Sequence, residues 1–283
     1  MRIGFVTCVE LGRACIEEIL GCGGAISCVF TLDDTAAVNK SGRIHLDSLC
    51  AGAGVPLHKI RNINDPHTLH LLSAESLDWL FVVGWSQIAR QEALSLPKRG
   101  VLGIHPTLLP EGRGRAAIPW AILKALPFTG ATLFRVDDGV DSGPIIGQRK
   151  IPLEARETAT TLYEKVKAAH RALVRDAWDS IIDGTVRWAP QDHSQATYWP
   201  GRTPADGRIT SSMTVEEADR LVRAVTKPYP GAYVESRDGI LRIWRAEPAT
   251  TVATENLDYA PHLIRMTDGF LRVLESTLEP NRT

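Results

Sequence analysis

The regular alternation of short apolar runs with helical stretches through the first 106 residues constrains the fold most strongly. The runs are rich in Val, Ile and Phe, as buried strands are, and stretches with helical periodicity separate them. Strands that alternate with helices form parallel sheets in α/β proteins. We therefore predict an α/β fold with a doubly wound, mostly parallel sheet. The predicted strands are residues 2–7, 25–32, 56–60, 78–84 and 101–106, and the predicted helices are residues 11–20, 43–51, 65–76 and 86–96.

The turn after the first strand argues against a Rossmann-type dinucleotide site. Such a site needs GxGxxG directly after the strand and at the start of a helix, but the sequence there is TCVELGRA. Gly21, Gly23 and Gly24 follow the first helix instead, where glycine is typical of a helix end. The alternation therefore predicts the sheet without predicting a dinucleotide cofactor.

The second half of the chain predicts a longer helix, a hairpin and a smaller second domain. Residues 186–212 are dense in Pro, Gly, Ser and Asp, which is typical of a linker or a long loop. We predict a first domain at 1–190, then a linker and a small, mostly β, barrel-like domain at 191–283. The predicted elements are helices at 118–126, 157–182 and 214–225 and strands at 128–138, 143–153, 232–236, 240–247, 262–268 and 270–277.

Charge and composition limit the classes of partner. The chain has 32 Lys plus Arg against 33 Asp plus Glu, and no run of like charges predicts a nucleic-acid surface. No window reaches about 18 consecutive apolar residues, and no leader-like start is evident, so we expect a cytoplasmic protein without a membrane span. The five cysteines show neither CxxC spacing nor paired histidines. They predict buried thiols in a reducing compartment and no metal site.

Two residues are candidates for chemistry. His105 lies at the end of the predicted strand 101–106, and ligands bind at the carboxyl ends of strands in doubly wound sheets. Asp141 lies with Asp137 and Asp138 in the turn VDDGVDSG. Each also has a structural interpretation, since a lone histidine is often a satisfied structural residue and an acidic turn is often solvated.

Two pairs of motifs carry a resemblance to a known family. The run HPTLLPEGRGRAAIPWAI, followed further along the chain by DDGVDSGPII, resembles the formyltransferases that use N10-formyltetrahydrofolate. The segments WPGRTPADGRI and LVRAVTKPYPGAYV resemble the C-terminal module of formyltransferases that act on sugar-nucleotide amines. The resemblance implies that residues 1–190 are a catalytic domain that transfers a formyl group to a primary amine. The expected acceptor is the amino group of a nucleotide-linked amino sugar.

Formyl transfer to an amine explains the residue types at these positions. The reaction passes through a tetrahedral oxyanion, which needs a hydrogen-bond donor, and the attacking amine needs a base for its proton. We predict that His105 polarises the formyl oxygen. Asp141 is predicted to act as the base or as the partner that orients His105.

The sequence departs from the family at Gly103. The family has an asparagine two residues before the histidine, where it helps to hold the formyl oxygen, and this chain has glycine. Loss of an oxyanion-hole donor costs on the order of 10² to 10³ in rate. A backbone N–H, Thr107, an ordered water or a group of the substrate would have to replace it. The alternatives are an inactive relative or a different donor or chemistry.

The resemblance also implies binding residues on three segments. The loop before the histidine motif lines the pterin pocket in the family, the residues after it wall the folate site, and the C-terminal module offers aromatic and charged groups. The predicted donor contacts are Gly84, Trp85, Ser86, Gln87, Leu108, Leu109, Pro110 and Arg115. The predicted acceptor contacts are Arg113, Trp199, Arg202 and Asp206. The arginines equally fit ion pairs within the protein, and the tryptophans equally fit core packing.

Other acceptors and a non-catalytic role remain open from the sequence. Methionyl-tRNA would require a basic surface, but acidic and basic residues are nearly balanced in 201–283. Hydroxyornithine or another small amine would need a carboxylate clamp, which Arg113 or Arg115 fits. Gly103 also fits a catalytically weak relative that binds folate or a nucleotide. The apolar strands of the C-terminal domain are a candidate homodimer interface.

Overall fold

The computed structural model of the chain describes residues 1–37, 42–249 and 263–280. The chain divides into two compact units. The first comprises residues 1–117, 128–152 and 164–199, and the second comprises residues 118–127, 153–163 and 200–283. Residues 191–199, which the sequence assigns to the linker, therefore belong to the first unit.

One seven-stranded, mostly parallel sheet forms the first unit and confirms the predicted fold class. The strands of this unit are β1 (Ile3–Val6), β2 (Cys28–Leu32), β3 (Leu57–Ile60), β4 (Trp79–Val83), β5 (Gly100–His105), β6 (Arg113–Gly114), β7 (Phe128–Val136), β8 (Ile145–Pro152) and β9 (Tyr198–Trp199). The sheet order is β3-β2-β1-β4-β5-β7-β8, and β6 and β9 form a separate parallel pair. The first five strands in this order are parallel, whereas β7 and β8 are antiparallel. The helices that connect β1 to β5 are α1 (Glu10–Gly21), α2 (Asp47–Ala53), α3 (Pro66–Ala74) and α4 (Gln91–Leu94).

Helix α2 begins later than the sequence predicts, because Arg43 is bound to the sheet. Its backbone forms an isolated bridge with Val9, and its guanidinium donates to the carbonyl of Leu32 (2.7 Å). The chain therefore runs as an irregular segment up to the first helical residue, Asp47.

Helix α4 retains only four of the residues predicted at 86–96. Gly84 has a φ of +66°, which ends the extended backbone of β4. The side chain of Gln87 then bonds to the backbone of Arg61 (2.8 Å) and of Ile63 (2.9 Å). These contacts hold residues 84–90 as a loop at the carboxyl edge of the sheet.

The core follows the predicted periodicity. One cluster of buried side chains extends from β1, β2 and β4 to α3 and α4 and includes Val6, Phe30, Leu72, Leu80, Ala93 and Leu94. The short helix α5 (Ala117–Leu123) and the long helix α6 (Ala159–Asp183) follow. The predicted apolar stripe of α6 is buried, at Leu162, Val166, Ala169, Leu173, Ala177 and Ile181.

The cysteines are free thiols, and most are buried as predicted. Cys8, Cys15, Cys28 and Cys50 are buried, and burial raises the pKa of the Cys28 thiol to about 12. Cys22 is exposed, so the prediction was wrong at this position, because the residue follows the last turn of α1.

In the part of the second unit that follows residue 200, the described residues form helix α7 (Val215–Val225) and an antiparallel sheet. Helix α7 begins with a capping box between Thr214 and Glu217. The four strands, in the order β10-β11-β13-β12, are β10 (Ala232–Ser236), β11 (Gly239–Pro248), β12 (Leu263–Arg265) and β13 (Phe270–Pro280). The strand predicted at 262–268 is shorter because Met266 N donates back to Gly269 O (2.9 Å), and His262 lies outside the described residues. The barrel-like closure stays a prediction. Within the described ranges, no helix is long and apolar enough to cross a membrane.

Candidate active site

The candidate site lies at the carboxyl edge of the sheet, where β5 ends. His105 is the last residue of β5 and pairs in register with Thr132 of β7. Its side chain is 9% exposed. The parallel strand β4 ends at the same edge and leads into the 84–90 loop. This is the edge at which ligands bind in doubly wound sheets.

Both ring nitrogens of His105 face hydrogen-bond acceptors. Nε2 lies 2.8 Å from the carbonyl oxygen of Gly112, and Nδ1 lies 3.4 Å from Oδ2 of Asp141. A ring protonated at both nitrogens satisfies both contacts, because a carbonyl and a carboxylate only accept. The two contacts fix the orientation of the ring between Gly112 and Asp141.

Asp141 is held by an ordered turn between β7 and β8. Its φ of +51° lies in the left-handed region, which residues other than glycine rarely adopt. Asp137 Oδ1 accepts a bond from Ser142 Oγ (2.7 Å) and closes the turn, and Gly114 N donates to Asp141 Oδ2 (2.8 Å). Among the described residues, no group donates to Asp141 Oδ1. The carboxylate therefore has one oxygen fixed by the protein and one oxygen available.

A buried glutamine joins Asp141 to a buried arginine. Nε2 of Gln191 donates to the carbonyls of Asp141 (2.9 Å) and Gly143 (2.7 Å). Its Oε1 accepts bonds from Nε (3.2 Å) and Nη2 (2.6 Å) of Arg113. The sequence analysis missed Gln191, because it lies in an irregular segment 50 residues from Asp141 and no spacing marks it. We use the name His105 corner for His105, Gly112, Arg113, Asp141 and Gln191.

The loop after His105 is bound to the segment that carries Trp199. Gly112 N donates to Thr197 Oγ1 (2.8 Å), and β6 pairs with β9. Gly112 and Gly114 have φ values of +69° and +108°. A Cβ atom would lie 2.9 Å from the Trp199 ring at Gly112 and 2.4 Å from Trp199 O at Gly114. Positions 112 and 114 therefore both require glycine. Trp199 lies against this loop, which also contacts His105.

Leu108, Leu109 and Pro110 lie in the same loop with different exposure. Leu109 is 3% exposed, and its N–H donates to Thr132 Oγ1 (3.1 Å). Leu108 and Pro110 are half-buried. Leu108 packs over Gly130 of β7, where a Cβ atom would lie 2.3 Å from its Cδ2. Leu108 and Pro110 thus retain the surface that a ligand wall needs.

The side-chain hydroxyl of Thr107 forms no hydrogen bond in the described structure. The residue is 2% exposed, and its Oγ1 is buried with no hydrogen-bond partner among the described residues. Its backbone carbonyl accepts a bond from Thr132 Oγ1 (2.7 Å), which fixes the position of the residue. A buried hydroxyl without a partner costs about 1 to 3 kcal/mol and calls for an explanation.

Gly103 lies in the middle of the sheet, between Val82 of β4 and Phe134 of β7. A Cβ atom at this position would lie 2.9 Å from Cγ2 of Val136 and 3.1 Å from Cε1 of Phe134. These side chains already fill the space on the side to which residue 103 would point. A larger residue at Gly103 therefore requires that β7 repack.

The 84–90 loop is braced by one glutamine and contains one buried donor without a partner in the described residues. Gln87 uses both ends of its amide to brace the backbone. Trp85 is half-buried, and its indole Nε1 is buried without a partner among the described residues. Gly84 has no room for a side chain, since a Cβ atom would lie 2.2 Å from Val9. Ser86 is exposed.

The remaining predicted residues lie in different settings. Arg115 is exposed, and its side chain has no partner within the described ranges. In the second unit, Arg202 donates to the carbonyl of Asp206 (2.7 Å) and lies 5.1 Å from the ring centre of Trp120. The carboxylate of Asp206 accepts bonds from Thr203, and these bonds lower its pKa.

Among residues 1–37, 42–249 and 263–280, no cluster of three or more His, Cys, Asp or Glu side chains offers a metal site. His170 of α6 is buried in the first unit, as His105 is. Its Nδ1 contacts Val166 O (2.9 Å), and its Nε2 has no partner in the described structure. Burial lowers its pKa to about 4, and the nearby His105 contributes to this shift. His170 is therefore neutral at pH 7.

Comparison with protein families and solved structures gives consistent matches. The family model described as formyl transferase matches residues 23–177, and the model described as formyl transferase, C-terminal domain, matches residues 202–279. An N-formyltransferase from Helicobacter canadensis, solved with folinic acid and dTDP-3-aminofucose, is 19% identical with a TM-score of 0.71, and the match covers 97% of this chain and 99% of that one.

Two further structures share the fold. HypX from Aquifex aeolicus, solved with tetrahydrofolic acid, is 19% identical with a TM-score of 0.72, and the match covers 98% of this chain. This chain spans 44% of the length of HypX. Methionyl-tRNA formyltransferase from Clostridium thermocellum is 14% identical with a TM-score of 0.65, and the match covers 99% and 100% of the two chains.

Proposed function

Because the chain belongs to the formyl transferase family, we propose that it transfers the formyl group of N10-formyltetrahydrofolate to the amino group of a nucleotide-linked amino sugar. One observation carries the proposal. A histidine with two acceptor partners faces a carboxylate at the carboxyl edge of the sheet, and that carboxylate keeps one oxygen available. In the proposal, His105 polarises the formyl oxygen and Asp141 is the base for the attacking amine.

The proposed chemistry assigns separate tasks to the two residues. The acceptor nitrogen attacks the formyl carbon, a C–N bond forms, and negative charge develops on the formyl oxygen. In this proposal His105 stabilises this charge from the end of β5, at the edge of the sheet where ligands bind in such folds. Asp141 Oδ1 accepts the proton that the attacking amine loses. The bond from the formyl carbon to N10 then breaks, and N10 takes up one proton, so the protons balance.

The donor is proposed to lie along the 84–90 loop and the wall formed by Leu108 and Pro110. The half-buried surface of these residues and the unpartnered indole N–H of Trp85 support this placement. Arg115 is assigned to the donor because its exposed guanidinium has no partner in the described chain. The pterin ring and the glutamate tail of the donor would accept hydrogen bonds from such N–H groups.

Two findings support an amino sugar as the acceptor: the similarity to a sugar-binding N-formyltransferase and the position of Trp199 in the first unit. The Helicobacter canadensis enzyme was solved with dTDP-3-aminofucose. Trp199 packs against the loop that contacts His105, which supports the proposal that its ring stacks on a sugar or a base. Arg202 and Asp206 are proposed as further acceptor contacts, although their present bonds within the second unit are also sufficient for a structural role.

A small amine with a carboxylate is the second candidate acceptor. The exposed, unpartnered guanidinium of Arg115 favours it, since a carboxylate clamp needs such a group. In that case Arg115 contacts the acceptor rather than the donor. Hydroxyornithine is the representative of this class.

A substrate panel tests the proposal. Purified protein is incubated with N10-formyltetrahydrofolate and, separately, with dTDP-linked amino sugars, hydroxyornithine and methionyl-tRNA. Tetrahydrofolate release is followed by absorbance, and the formylated product is identified by mass spectrometry. We expect formylated amino-sugar nucleotide.

Each other outcome selects a different function. A product from hydroxyornithine alone would assign a small amine. A tRNA product whose formation falls steeply with salt would assign methionyl-tRNA. Folate binding without any formylated product would overturn catalysis and leave a binding protein.

A further inference from the structure

Arg113 is a buried cation without an acidic partner. It is 1% exposed, and its guanidinium donates to Gln191, to Tyr198 Oη (3.0 Å) and to His193 Nδ1 (3.1 Å). None of these partners is a carboxylate, and no carboxylate of the described residues forms an ion pair with it. Burying a charge without a counter-charge is costly even when it is hydrogen-bonded. A role in stability alone does not explain this arrangement.

Gln191 is a bridge whose orientation is chemically enforced. Arginine has no acceptor, so the amide oxygen of Gln191 must face Arg113. The amide nitrogen must then face the carbonyls of Asp141 and Gly143, as it does. The side-chain amide offers two acceptor positions and two hydrogens, and all of them are used. Replacing the oxygen or the nitrogen therefore breaks one side of the bridge only.

Gln191 stabilises the unfavourable backbone conformation of Asp141. A left-handed backbone at a residue other than glycine costs roughly 1 to 2 kcal/mol, and Asp141 adopts it with a φ of +51°. Gln191 fixes the backbone carbonyl of Asp141, and Gly114 N fixes its carboxylate. Arg113 and Gly114 are consecutive residues of β6, so one short strand holds Asp141 from both ends.

We infer that Arg113 and Gln191 are positioning residues that set the geometry of Asp141 against His105 without contacting either substrate. The inference rests on the proposed function, since it gives Asp141 the task assigned there. A displacement of about 1 Å in a catalytic group costs on the order of 10²-fold in rate. Gln191 and Arg113 thereby influence the chemical step through Asp141 alone.

Gln191→Glu separates positioning from folding. The glutamate keeps the volume of the side chain and pairs with Arg113, so the fold should be retained. It places a carboxylate oxygen against the carbonyls of Asp141 and Gly143, where the wild-type amide donates two hydrogen bonds. Gln195→Glu is the matched control, because it adds the same charge at an exposed position of the same segment.

We expect Gln191→Glu to fold cooperatively and to lower kcat on the order of 10²-fold, with the KM of both substrates changed less than about threefold. Gln195→Glu should leave kcat unchanged. Gln191→Asn, which keeps the amide on a shorter side chain, should recover part of the rate. A Gln191→Glu enzyme with wild-type kcat, or equal losses in the two glutamate variants, would overturn the inference.

Nitrogen chemical shifts of the His105 ring provide a readout independent of turnover. They report the contact of Nδ1 with Asp141 in the purified protein. We expect them to change in Gln191→Glu and to stay constant in Gln195→Glu. A wild-type protein that formylates no amine would overturn the proposed function, and the chemical shifts would still decide the role of Gln191.

Discussion

The His105 corner and the 84–90 loop lie at the same edge of the sheet, and each is braced by one glutamine, but they differ in the partners of their ring nitrogens. In the corner, both ring nitrogens of His105 and the whole amide of Gln191 have partners within the protein. In the loop, the indole N–H of Trp85 is buried without a partner, and Ile88 is 75% exposed.

The difference between the corner and the loop suggests that the two regions have different roles. Groups that stabilise developing charge act best when the protein fixes them before the reaction, because no energy is then needed to reorient them. Groups that bind a ligand keep unused donors and apolar surface until the ligand arrives. For this reason we propose the corner for the chemistry and the loop for donor binding. Substitutions in the corner should change kcat, and substitutions in the loop should change KM.

Replacement of His105 should have the largest effect. His105→Ala removes the imidazole ring, and an acid–base group of this kind contributes on the order of 10² to 10⁴ in rate. We expect kcat to fall within or beyond that range while the affinity for the folate donor, measured by titration, stays nearly constant. His67→Ala at an exposed position of α3 is the control. An unchanged rate would remove His105 from the mechanism.

Thr107→Val tests whether the unused hydroxyl replaces the missing asparagine. Removal of an oxyanion-hole donor costs on the order of 10² to 10³ in rate. Because Thr107 Oγ1 has no partner in the described structure, its removal should not destabilise the fold and should increase the free energy of unfolding by about 1 kcal/mol.

Opposite changes in rate and stability would be the signature of a functional hydroxyl. Thr132→Val is the comparison, since Thr132 bonds to Thr107, Leu109 and Gln148 and should lose stability. Unchanged kcat in Thr107→Val would exclude Thr107 as the donor.

His170 differs from His105 because only one of its ring nitrogens has a hydrogen-bond partner in the described structure. Burial lowers its pKa from 6.5 to about 4 in the folded protein. As the pH falls below 6.5, the unfolded chain binds a proton that the folded protein does not bind, so stability decreases until about pH 4. One pKa unit corresponds to 1.36 kcal/mol, so this loss is about 3 kcal/mol.

His170→Leu removes the titrating group and should remove that part of the acid sensitivity. Urea unfolding at pH 7 and at pH 4.5 measures it as the difference between wild type and variant. The variant should gain relative stability at the lower pH. Parallel losses in the two proteins would mean that His170 does not control this step.

The sequence predicts the fold well where a pattern repeats locally. The alternation of apolar runs gives the five parallel strands, and the period of α6 gives its buried stripe, because each depends on neighbouring residues. The start of α2 and the shortness of α4 were not predictable. They depend on bonds from Arg43 and Gln87 to distant backbone groups.

The candidate site was predictable only in part for the same reason. His105 and Asp141 follow from motifs, and in the structure Nδ1 of His105 lies 3.4 Å from Oδ2 of Asp141. Gln191 was missed because its partners are far away in sequence. The space at Gly103 is filled by Phe134 and Val136 of β7, which no local pattern shows. Arg113 was predicted to bind substrate, and its burial favours the positioning role instead.

Trp85→Phe should have the smallest effect and tests the other side of the comparison. The substitution keeps an aromatic ring and removes the N–H that has no partner in the described residues. One hydrogen bond contributes about 0.5 to 1.5 kcal/mol, so we expect the KM for the folate donor to rise roughly two- to tenfold at unchanged kcat.

Trp79 provides a matched control on the same strand. It lies at the opposite end of β4, is 4% exposed, and also has a buried indole nitrogen without a partner in the described chain. Trp79→Phe should leave both kinetic constants unchanged, because the amino end of β4 is far from the edge where ligands bind. Equal increases in KM for the two variants would mean that lost packing, not donor binding, accounts for the change. A lower kcat in Trp85→Phe would place Trp85 in the chemical step and remove the distinction between the loop and the His105 corner.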